Sequence, residues 1–406
     1  MRKGTNEGGR ANRKEVNKMI DVAIVGTGGI SNFHIQGLLE FPERCRIVAL
    51  CDIYPEKCEK IKEKYHLDKD IPVFKDHEEM LESGVHIDVV HVCTPPYVHS
   101  QISINCMNKG INVLVEKPMA ASIEECDMML AAEKANNVTL GVIAQNRFRN
   151  GVYKLKKIAD SGLAGKICFA RVNSNWWRDH SYYDLWWRGT WEKEGGGPTL
   201  NHAVHHIDML NWIENRSPVE ATSVLTNIMH DNAEVEDLSF SCFKYDDDSI
   251  AEVIASVVSH GEEQGIVLQC EKARISMPWD VKAEIGMDNG FPDDKKNEEL
   301  IQKLNKCYEE IEDLKYEGHV GEIDNYLSAI EKGEKPLITG VDGKRTLELI
   351  TAVYAAGFEK KTISLPVTPD SKYYRTGGIQ ENAVHFYEKA NSVENFEEDK
   401  LTVGNY

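Results

Sequence analysis

Residues Ile20–Ser31 read IDVAIVGTGGIS, a short run of aliphatic and β-branched residues that ends in a glycine-rich turn. Gly26 permits a tight turn and Gly28 permits close approach of a pyrophosphate, which the positive N-terminus of a following helix attracts. Ser31 stands where the third glycine of this motif usually lies. The alternative is a tight strand-to-helix turn without a ligand. Because a strand pattern precedes the turn and a helical pattern follows it, the segment predicts a dinucleotide site.

The same alternation of strand and helix patterns continues to about residue 144. Four further strand candidates read RIVALCD, IDVVHVCTP, INVLVEKP and VTLGVIA. Such alternation predicts an α/β domain with a doubly wound parallel sheet, in which ligands bind beyond the carboxyl ends of the strands. Those ends fall at Gly26, Asp52, Thr94, Glu116 and Gln145.

The pattern changes after about Arg149 to one helix followed by strands with short connections. These strands read ICFARVNSN, ATSVLTNIM, LSFSCFKY, SIAEVIASVV, GIVLQC and ARISMP. They predict a second, α+β domain with a large, mostly antiparallel open sheet. We divide the 406 residues into a disordered or extended tail (1–19), a dinucleotide-binding domain (20–148), a substrate and oligomerisation domain (149–366) and a C-terminal extension (367–406). A closing helix at about 342–360 could pack back on the first domain.

Charge and cysteine usage restrict the class of protein. The formal net charge of −19 disfavours nucleic acid and anionic membranes as partners, since both are negatively charged. The ten cysteines contain no Cys-x-x-Cys pair, and no apolar run reaches the length of a membrane span. We therefore expect a cytoplasmic protein with reduced, mostly buried thiols.

Three strand ends carry residues suited to a cofactor. Asp52 ends the second strand, where a carboxylate accepts a hydrogen bond from a ribose hydroxyl and repels a 2′-phosphate, which favours NAD over NADP. Thr94-Pro95-Pro96 predicts a rigid loop, because two prolines prevent continuation of a strand or immediate entry into a helix. Glu116-Lys117-Pro118 places an ionisable pair at a strand end, for which a solvated ion pair is the alternative.

Residues Gly195–Asp208 read GGGPTLNHAVHHID, in which Asn201, His205 and Asp208 share one face of a predicted helix. The glycines allow close approach of backbone, and the polar side chains are of the kind that move protons, so we predict a catalytic wall beside a cofactor. A buried histidine satisfied by an aspartate is the alternative. His202 and His206 have a spacing that could bind a metal, but no third ligand is apparent, so we predict no metal site.

Five of the seven tryptophans lie in WWRDHSYYDLWWRGTW, Trp176–Trp191. Aromatic faces pack on the C–H face of a pyranose, and Arg178 could bond its hydroxyls. Core packing or a subunit interface is the alternative. The segment favours a sugar or glycoside as substrate.

Together these motifs resemble, in order and spacing, the Gfo/Idh/MocA oxidoreductase family from Ile20 to Pro366, ending in the helix GKRTLELITAVYAAGF. The resemblance implies an N-terminal Rossmann domain, Lys117 as the active-site lysine and His205 as the histidine that acts on the substrate hydroxyl. Many relatives carry aspartate at the position of Asn201, and an amide can hold a substrate hydroxyl but does not relay a proton. Asp208 matches the family and is a candidate to orient His205.

The expected contacts form two sets. For NAD they are Gly26, Gly28, Gly29, Ile30, Ser31, Asp52, Thr94, Pro95, Pro96, His99, Glu116, Lys117, Gln145, Asn146, Trp187 and Arg188. For the substrate they are Asn201, Asp208, Arg178, Tyr183, Trp187, Arg188 and Arg147, with Lys117 and His205 as catalytic residues.

These expectations combine into an NAD-dependent dehydrogenase that oxidises a secondary hydroxyl, by hypothesis at C3, of a pyranose or glycoside. The reverse reaction would reduce a ketosugar. A cyclitol such as inositol is one alternative, and glycoside cleavage through transient 3-keto oxidation with recycled NAD is another. A dinucleotide-binding sensor without turnover is the alternative from a different class. The open sheet predicts a homo-oligomer, a tetramer or another even-numbered assembly.

Overall fold

The computed structural model describes residues 18–394. The predicted N-terminal tail therefore lies almost wholly outside the described residues, as does the end of the C-terminal extension. Within 18–394, no helix combines the length and the apolar character that a membrane crossing requires. The ten cysteines are free thiols and six of them are buried.

The first domain is a parallel sheet of six strands with helices on both faces, which confirms the predicted class. Its strands are β1 Ile20–Val25, β2 Cys45–Cys51, β3 Val73–Phe74, β4 Val89–Val92, β5 Asn112–Val115 and β6 Leu140–Val142. Its helices are α1 Ser31–Leu39, α2 Pro55–Tyr65, α3 His77–Glu82, α4 His99–Asn108 and α5 Ile123–Asn136. The sequence analysis missed β3, because two residues are too few to show a period.

Strand order in this sheet is β3-β2-β1-β4-β5-β6. The chain adds β2 and β3 on one side of β1 and then β4, β5 and β6 on the other, so the topological switch point lies between β1 and β4. Every residue of β1 and β4 is buried, as a parallel sheet covered on both faces requires. Val25 pairs with Cys51 on one side and Val92 on the other. The residues that follow these strands therefore meet at one edge, where ligands bind in such folds.

The second domain contains a mixed, mostly antiparallel sheet of eight strands, in the order β13-β12-β11-β7-β10-β9-β8-β16. Its strands are β7 Ile167–Asn175, β8 Glu220–Thr226, β9 Leu238–Lys244, β10 Ile250–Ser256, β11 Gln264–Cys270, β12 Arg274–Met277, β13 Asp280–Lys282 and β16 Ile363–Ser364. A separate hairpin is formed by β14 Glu284–Gly286 and β15 Pro292–Lys296. The helices are α6 Asn150–Asp160, α7 Pro198–Asn201, α8 Ala203–Glu214, α9 Glu298–Glu310, α10 Gly318–Lys332, α11 Gly340–Glu359 and α12 Gly378–Asn382.

Two of these helices also pack on the first domain. Helix α10 lies on α1, where a Cβ on Gly37 would come within 2.5 Å of the Ile323 side chain. Helix α11 packs on β6, since a Cβ on Gly343 would come within 2.8 Å of Val142. The cross-domain packing of α10 differs from our assignment of residues 149–366 to a separate domain, because an amphipathic pattern does not show which sheet a helix covers.

The described part of the C-terminal extension crosses from one domain to the other. Near α5, the Thr376 amide donates to Glu124 Oε2 at 2.8 Å. Further on, the Val393 amide donates to the Asp184 carbonyl at 2.7 Å and the Trp186 amide to the Val393 carbonyl at 3.0 Å. The extension thus holds the tryptophan-rich segment of its own chain.

Candidate active site

The glycine turn after β1 has the space that a bound phosphate requires. Gly26 adopts φ +92° and a Cβ there would lie 2.7 Å from the Cys93 carbonyl carbon, so a side chain is excluded. At Gly28, by contrast, nothing lies within 4 Å of an added Cβ. Gly28 and Gly29 are exposed, with Ile30 half-buried behind them. The Ser31 hydroxyl donates to the Gly28 carbonyl at 2.7 Å, which secures the turn without a third glycine.

Asp52 lies at this turn as predicted from its place after β2. Its Oδ2 accepts from the Thr27 amide at 2.7 Å and the Thr27 hydroxyl at 3.0 Å, and its Oδ1 accepts from the Tyr54 amide at 2.9 Å. The carboxylate therefore braces the turn and remains partly exposed. Ile53 and Tyr54 beside it are 64% and 48% exposed, an apolar surface next to the ribose position that the sequence analysis missed.

Two buried polar atoms at the ends of β4 and β6 lack partners among residues 18–394: Thr94 Oγ1 and Gln145 Oε1. A buried polar group without a hydrogen bond costs about 1–3 kcal/mol, so a ligand that bonds these two atoms would remove that cost. With the open Gly28 and the Asp52 carboxylate, they make this sheet edge fit a dinucleotide. Pro95 is exposed and Pro96 starts a short turn at the same edge, whereas Asn146 is 4% exposed.

We predicted that His99 contacts the cofactor, but its side chain is buried within the protein. The side chain has no exposed surface, and its Nε2 and Nδ1 lie 2.7 Å and 2.9 Å from the carbonyl oxygens of Thr94 and Pro118. It therefore positions the two loops from behind.

Glu116 also points away from the expected cofactor side. It is 3% exposed; its Oε1 lies 3.0 Å from His34 Nε2 and 3.5 Å from His319 Nε2, and its Oε2 accepts the Lys117 amide at 3.1 Å. The two histidines hold the pKa of this carboxyl well below its usual range, against the effect of burial. Neither histidine was predicted. The position of His34, one turn after Ser31, is the sequence feature that could have identified it as part of this cluster.

The direction of one hydrogen bond of His34 determines the direction of the other. His34 Nδ1 lies 2.9 Å from His91 Nδ1, so one of the two nitrogens donates. If His34 Nε2 donates to Glu116 Oε1, His34 Nδ1 accepts from His91 Nδ1. Burial lowers the pKa of His91 well below its ordinary value, which agrees with this assignment. His34, Glu116 and His319 have ligand atoms within 4.8 Å of one another, and a hydrogen bond joins His34 to Glu116.

Lys117 emerges from this cluster toward the second domain. Its ammonium donates to the Asn201 backbone carbonyl at 3.4 Å. Burial, together with the Arg188 charge and in spite of the nearby Glu116, lowers the pKa of Lys117. The contact is with the main chain of Asn201 and not with its side chain.

The predicted single helix through Asn201, His205 and Asp208 is wrong, because the helix breaks at His202. Helix α7 ends at Asn201 and α8 begins at Ala203. The Asn201 side-chain nitrogen Nδ2 donates to the Gly196 carbonyl at 2.8 Å and to the Gly197 carbonyl at 3.3 Å, so the side chain is bonded to its own loop. Burial, and next the Lys117 charge, lowers the pKa of His205 well below its ordinary value, so the ring is neutral at pH 7.

The close backbone approach that we predicted for the triple glycine is made to protein atoms. A Cβ on Gly196 would lie 2.0 Å from the Tyr354 hydroxyl, and one on Gly197 would lie 1.9 Å from the Glu236 carbonyl. Glu236 accepts from the amides of Gly197 and Thr199, both at 3.1 Å. This buried carboxylate therefore holds the start of α7, a role the sequence did not show.

Asp208 is engaged by Arg147 and not by His205. Its carboxylate is held by Arg147, with two contacts of 2.7 Å, and the two side chains are 5% and 2% exposed. Arg147 is likewise too buried for the substrate contact that we predicted. Both residues position α8.

The tryptophan-rich segment divides into core and cleft residues. Tyr183 is 1% exposed and packs edge-on to His230, so the predicted substrate contact is wrong. The Arg188 guanidinium lies 4.3 Å from the ring centroids of both Tyr182 and Trp187. Tyr182 was not among the predicted substrate contacts. Its hydroxyl accepts from Arg188 Nη1 at 2.6 Å, and its ring lies 6.0 Å from the His202 ring. His202 and His206 find no third metal-ligand side chain among the described residues.

Comparisons with known proteins agree with this geometry. Residues 20–144 match "Oxidoreductase family, NAD-binding Rossmann fold", and residues 152–276 match "GFO/IDH/MocA C-terminal domain". A 2,7-anhydro-N-acetylneuraminate hydratase of Mediterraneibacter gnavus is 27% identical over 79% of this chain and 81% of its own. A myo-inositol 2-dehydrogenase of Thermotoga maritima is 24% identical over 85% of this chain and 98% of its own.

Among solved structures, the WlbA dehydrogenase from Bordetella pertussis in complex with NADH and UDP-GlcNAcA is 25% identical, with a TM-score of 0.72 over 86% of this chain and 100% of its own. The two sequence matches together span more than half of the chain. The chain belongs to the Gfo/Idh/MocA oxidoreductase family and binds NAD through its N-terminal Rossmann domain.

Proposed function

We propose that this protein oxidises a secondary hydroxyl, at C3, of a pyranose sugar or glycoside with NAD as the acceptor. The observation that carries the proposal is that Lys117 and His205, from different domains, line one cavity. The similarity to a myo-inositol dehydrogenase and to a hydratase of a sugar derivative supports a polyhydroxylated ring as substrate.

The protonation states of the two residues suit this reaction. Bound NAD supplies the acceptor for the hydride that leaves the carbinol carbon. His205 is neutral because burial lowers its pKa, so it receives the hydroxyl proton. The Lys117 ammonium stabilises the developing negative charge on the same oxygen. The carbon thus loses a hydride and the oxygen a proton, which leaves a ketone.

A second candidate is cleavage or hydration of a glycoside through transient oxidation, with NAD regenerated in place. The relative named as a hydratase favours it, since hydration involves no net oxidation. An inositol is the alternative substrate for simple oxidation. A sensor without turnover is disfavoured by the convergence of Lys117 and His205.

We also propose a cytoplasmic homo-oligomer, a tetramer or another even-numbered assembly, built on the outer face of the second sheet. Val224 pairs with Phe240, which pairs with Ile254 on the next strand. Val224 and Phe240 are 65% and 46% exposed, and such an apolar row favours self-association. Light scattering on the purified protein tests the assembly, with Phe240→Glu expected to yield a smaller species.

The test of activity is formation of NADH on mixing protein and NAD with free sugars, inositols and aryl glycosides. A rise with one class that is absent in Lys117→Ala supports the proposal. If no class yields NADH, mass spectrometry of the mixtures separates the remaining candidates: a cleaved or hydrated product indicates recycled NAD, and unchanged substrates indicate a sensor.

A further inference from the structure

Two arginines of the tryptophan-rich segment converge on Tyr182 and His202. The guanidinium carbon of Arg178 lies 5.7 Å from the Tyr182 ring centroid, and that of Arg188 lies 4.3 Å from it. The His202 ring lies 6.0 Å from Tyr182 and 5.4 Å from Trp176. Two guanidinium groups therefore lie beside the same tyrosine ring.

Each arginine uses only one of its nitrogens within the protein. Arg178 Nη1 donates to Glu262 Oε1 at 2.8 Å, and Arg188 Nη1 donates to Glu194 Oε1 at 2.8 Å. Within residues 18–394, Nε and Nη2 of both side chains have no protein acceptor, and none of these four atoms is fully buried. Nε and Nη2 form the fork of a guanidinium that matches an oxyanion with two parallel hydrogen bonds. Both forks are thus available to a ligand.

The charges around the cleft agree with an anionic ligand. The positive charges of Arg178, Arg188 and Lys117 all lower the pKa of His202, after the effect of burial. His202 Nδ1 is buried without a partner in the described chain. Glu194 and Glu262 each engage one arginine, and Glu116 is turned toward His34 and His319. The Lys117 ammonium donates to a main-chain carbonyl, that of Asn201, at 3.4 Å.

We propose that the substrate is an anionic sugar, whose oxyanion is bound by the free forks of Arg178 and Arg188 beside His202. The inference rests on the proposed function, since it names the substrate class for the same site. A carboxylate, as in a uronic acid, and a phosphate ester share this chemistry. A neutral sugar would leave both forks to water.

The test compares glucuronate, glucose 6-phosphate and glucose, each with the full-length protein and NAD. We expect kcat/KM for one anionic sugar to exceed that for glucose by about tenfold or more, as one desolvated charge-assisted bond provides. Preference for glucuronate or for the phosphate identifies the source of the oxyanion. Equal or better use of glucose would overturn the proposal.

Arg178→Gln and Arg188→Lys are the informative variants, because the second retains the charge and the fold but removes the fork. Both should lower the ratio of kcat/KM for the anionic sugar to kcat/KM for glucose by about tenfold. Arg46→Gln, at the opposite end of the first sheet, is the matched control. An equal effect of the site variants on charged and neutral sugars would contradict the proposal.

A calorimetric titration separates failure of this inference from failure of the proposed function. If no sugar yields NADH, glucuronate, glucose 6-phosphate and glucose are titrated into the protein–NADH complex. If an anionic sugar binds about tenfold more tightly than glucose, the site is specific for an anion and only the proposed oxidation is rejected. Equal or absent binding would reject it.

Discussion

Arg147 Nε and Nη2 bind the two carboxylate oxygens of Asp208, each at 2.7 Å. Arg147 follows β6 of the NAD-binding domain, and Asp208 lies one turn after His205 on α8. The same guanidinium lies 3.2 Å from Asp342 near the start of α11. One side chain therefore joins the NAD sheet, the helix that carries His205 and the helix shared by both domains.

Replacement of Arg147 should destabilise the protein strongly. Arg147→Met leaves Asp208 as an uncompensated buried charge, which costs about 3–5 kcal/mol in the free energy of unfolding. Urea denaturation measures this cost. The double variant Arg147→Met/Asp208→Leu should recover a large part of it, and no recovery would show that packing, and not charge, makes the arginine necessary.

The pH profile of kcat/KM should be broad. Because the pKa of His205 is lowered well below 6.5, the base remains deprotonated and active at pH 6, and activity falls only at more acidic pH. The pKa of Lys117 is lowered from 10.5, so the alkaline limb should lie below that value. An acidic limb at or above pH 6.5 would contradict the role of His205. His205→Gln should remove the acidic limb along with most of the activity.

Asp52 should determine the preference for NAD. Asp52→Ala removes an acceptor for Thr27 and Tyr54 and for the ribose, and we expect KM for NAD to rise about tenfold, as loss of a charge-assisted hydrogen bond implies. Discrimination against NADP should weaken, because the charge that repels a 2′-phosphate is gone. Steady-state kinetics with both cofactors measure the effect. Asp76→Ala, a helix cap on the same domain, is the control and should leave the cofactor ratio unchanged.

Glu236 should make stability depend on pH. Burial raises its pKa from 4.5 to about 7, so between these values the unfolded chain has released a proton that the folded protein still holds. Its contribution is therefore present below pH 4.5 and is lost as pH rises to 7, by at most about 3 kcal/mol. Thermal unfolding at pH 5 and pH 7.5 measures the difference. Glu236→Gln should reduce it, whereas an unchanged pH dependence would show that Glu236 is ionised throughout.

Asn232 should control the tryptophan-rich segment. Its amide nitrogen donates to Asp184 Oδ1 and to the Asn391 carbonyl, both at 3.0 Å, and its Oδ1 accepts the amides of Ala390 and Asn391. Asn232→Ala should release the C-terminal extension and raise the substrate KM, with little change in the KM for NAD. Limited proteolysis after residue 380 reports the release. Asn382→Ala, which removes a local helix bond, should leave both measurements unchanged.

The alternation of strands and helices, the glycine turn and the positions of Asp52, Thr94, Glu116 and Gln145 followed from the sequence alone. Each depends on local chemistry: the period of apolar residues, the conformations open to glycine and proline, and the alignment of parallel strand ends. The first sheet was therefore predicted almost strand by strand, and the two-residue β3 was missed because it is too short to show a period.

Only the tertiary structure decided which polar groups are engaged with each other. His34 and Glu116 are 82 residues apart and Arg147 and Asp208 are 61 apart, and no local pattern connects them. Contact of α8 with the short turn Gln145–Phe148 brought Asp208 to Arg147, and close approach to Tyr354 and Glu236 requires glycine at positions 196 and 197. A residue's type and spacing limit the chemistry it can perform, but the partner that satisfies it in the folded protein depends on how distant elements pack, because a buried polar group must be paired wherever the fold places it.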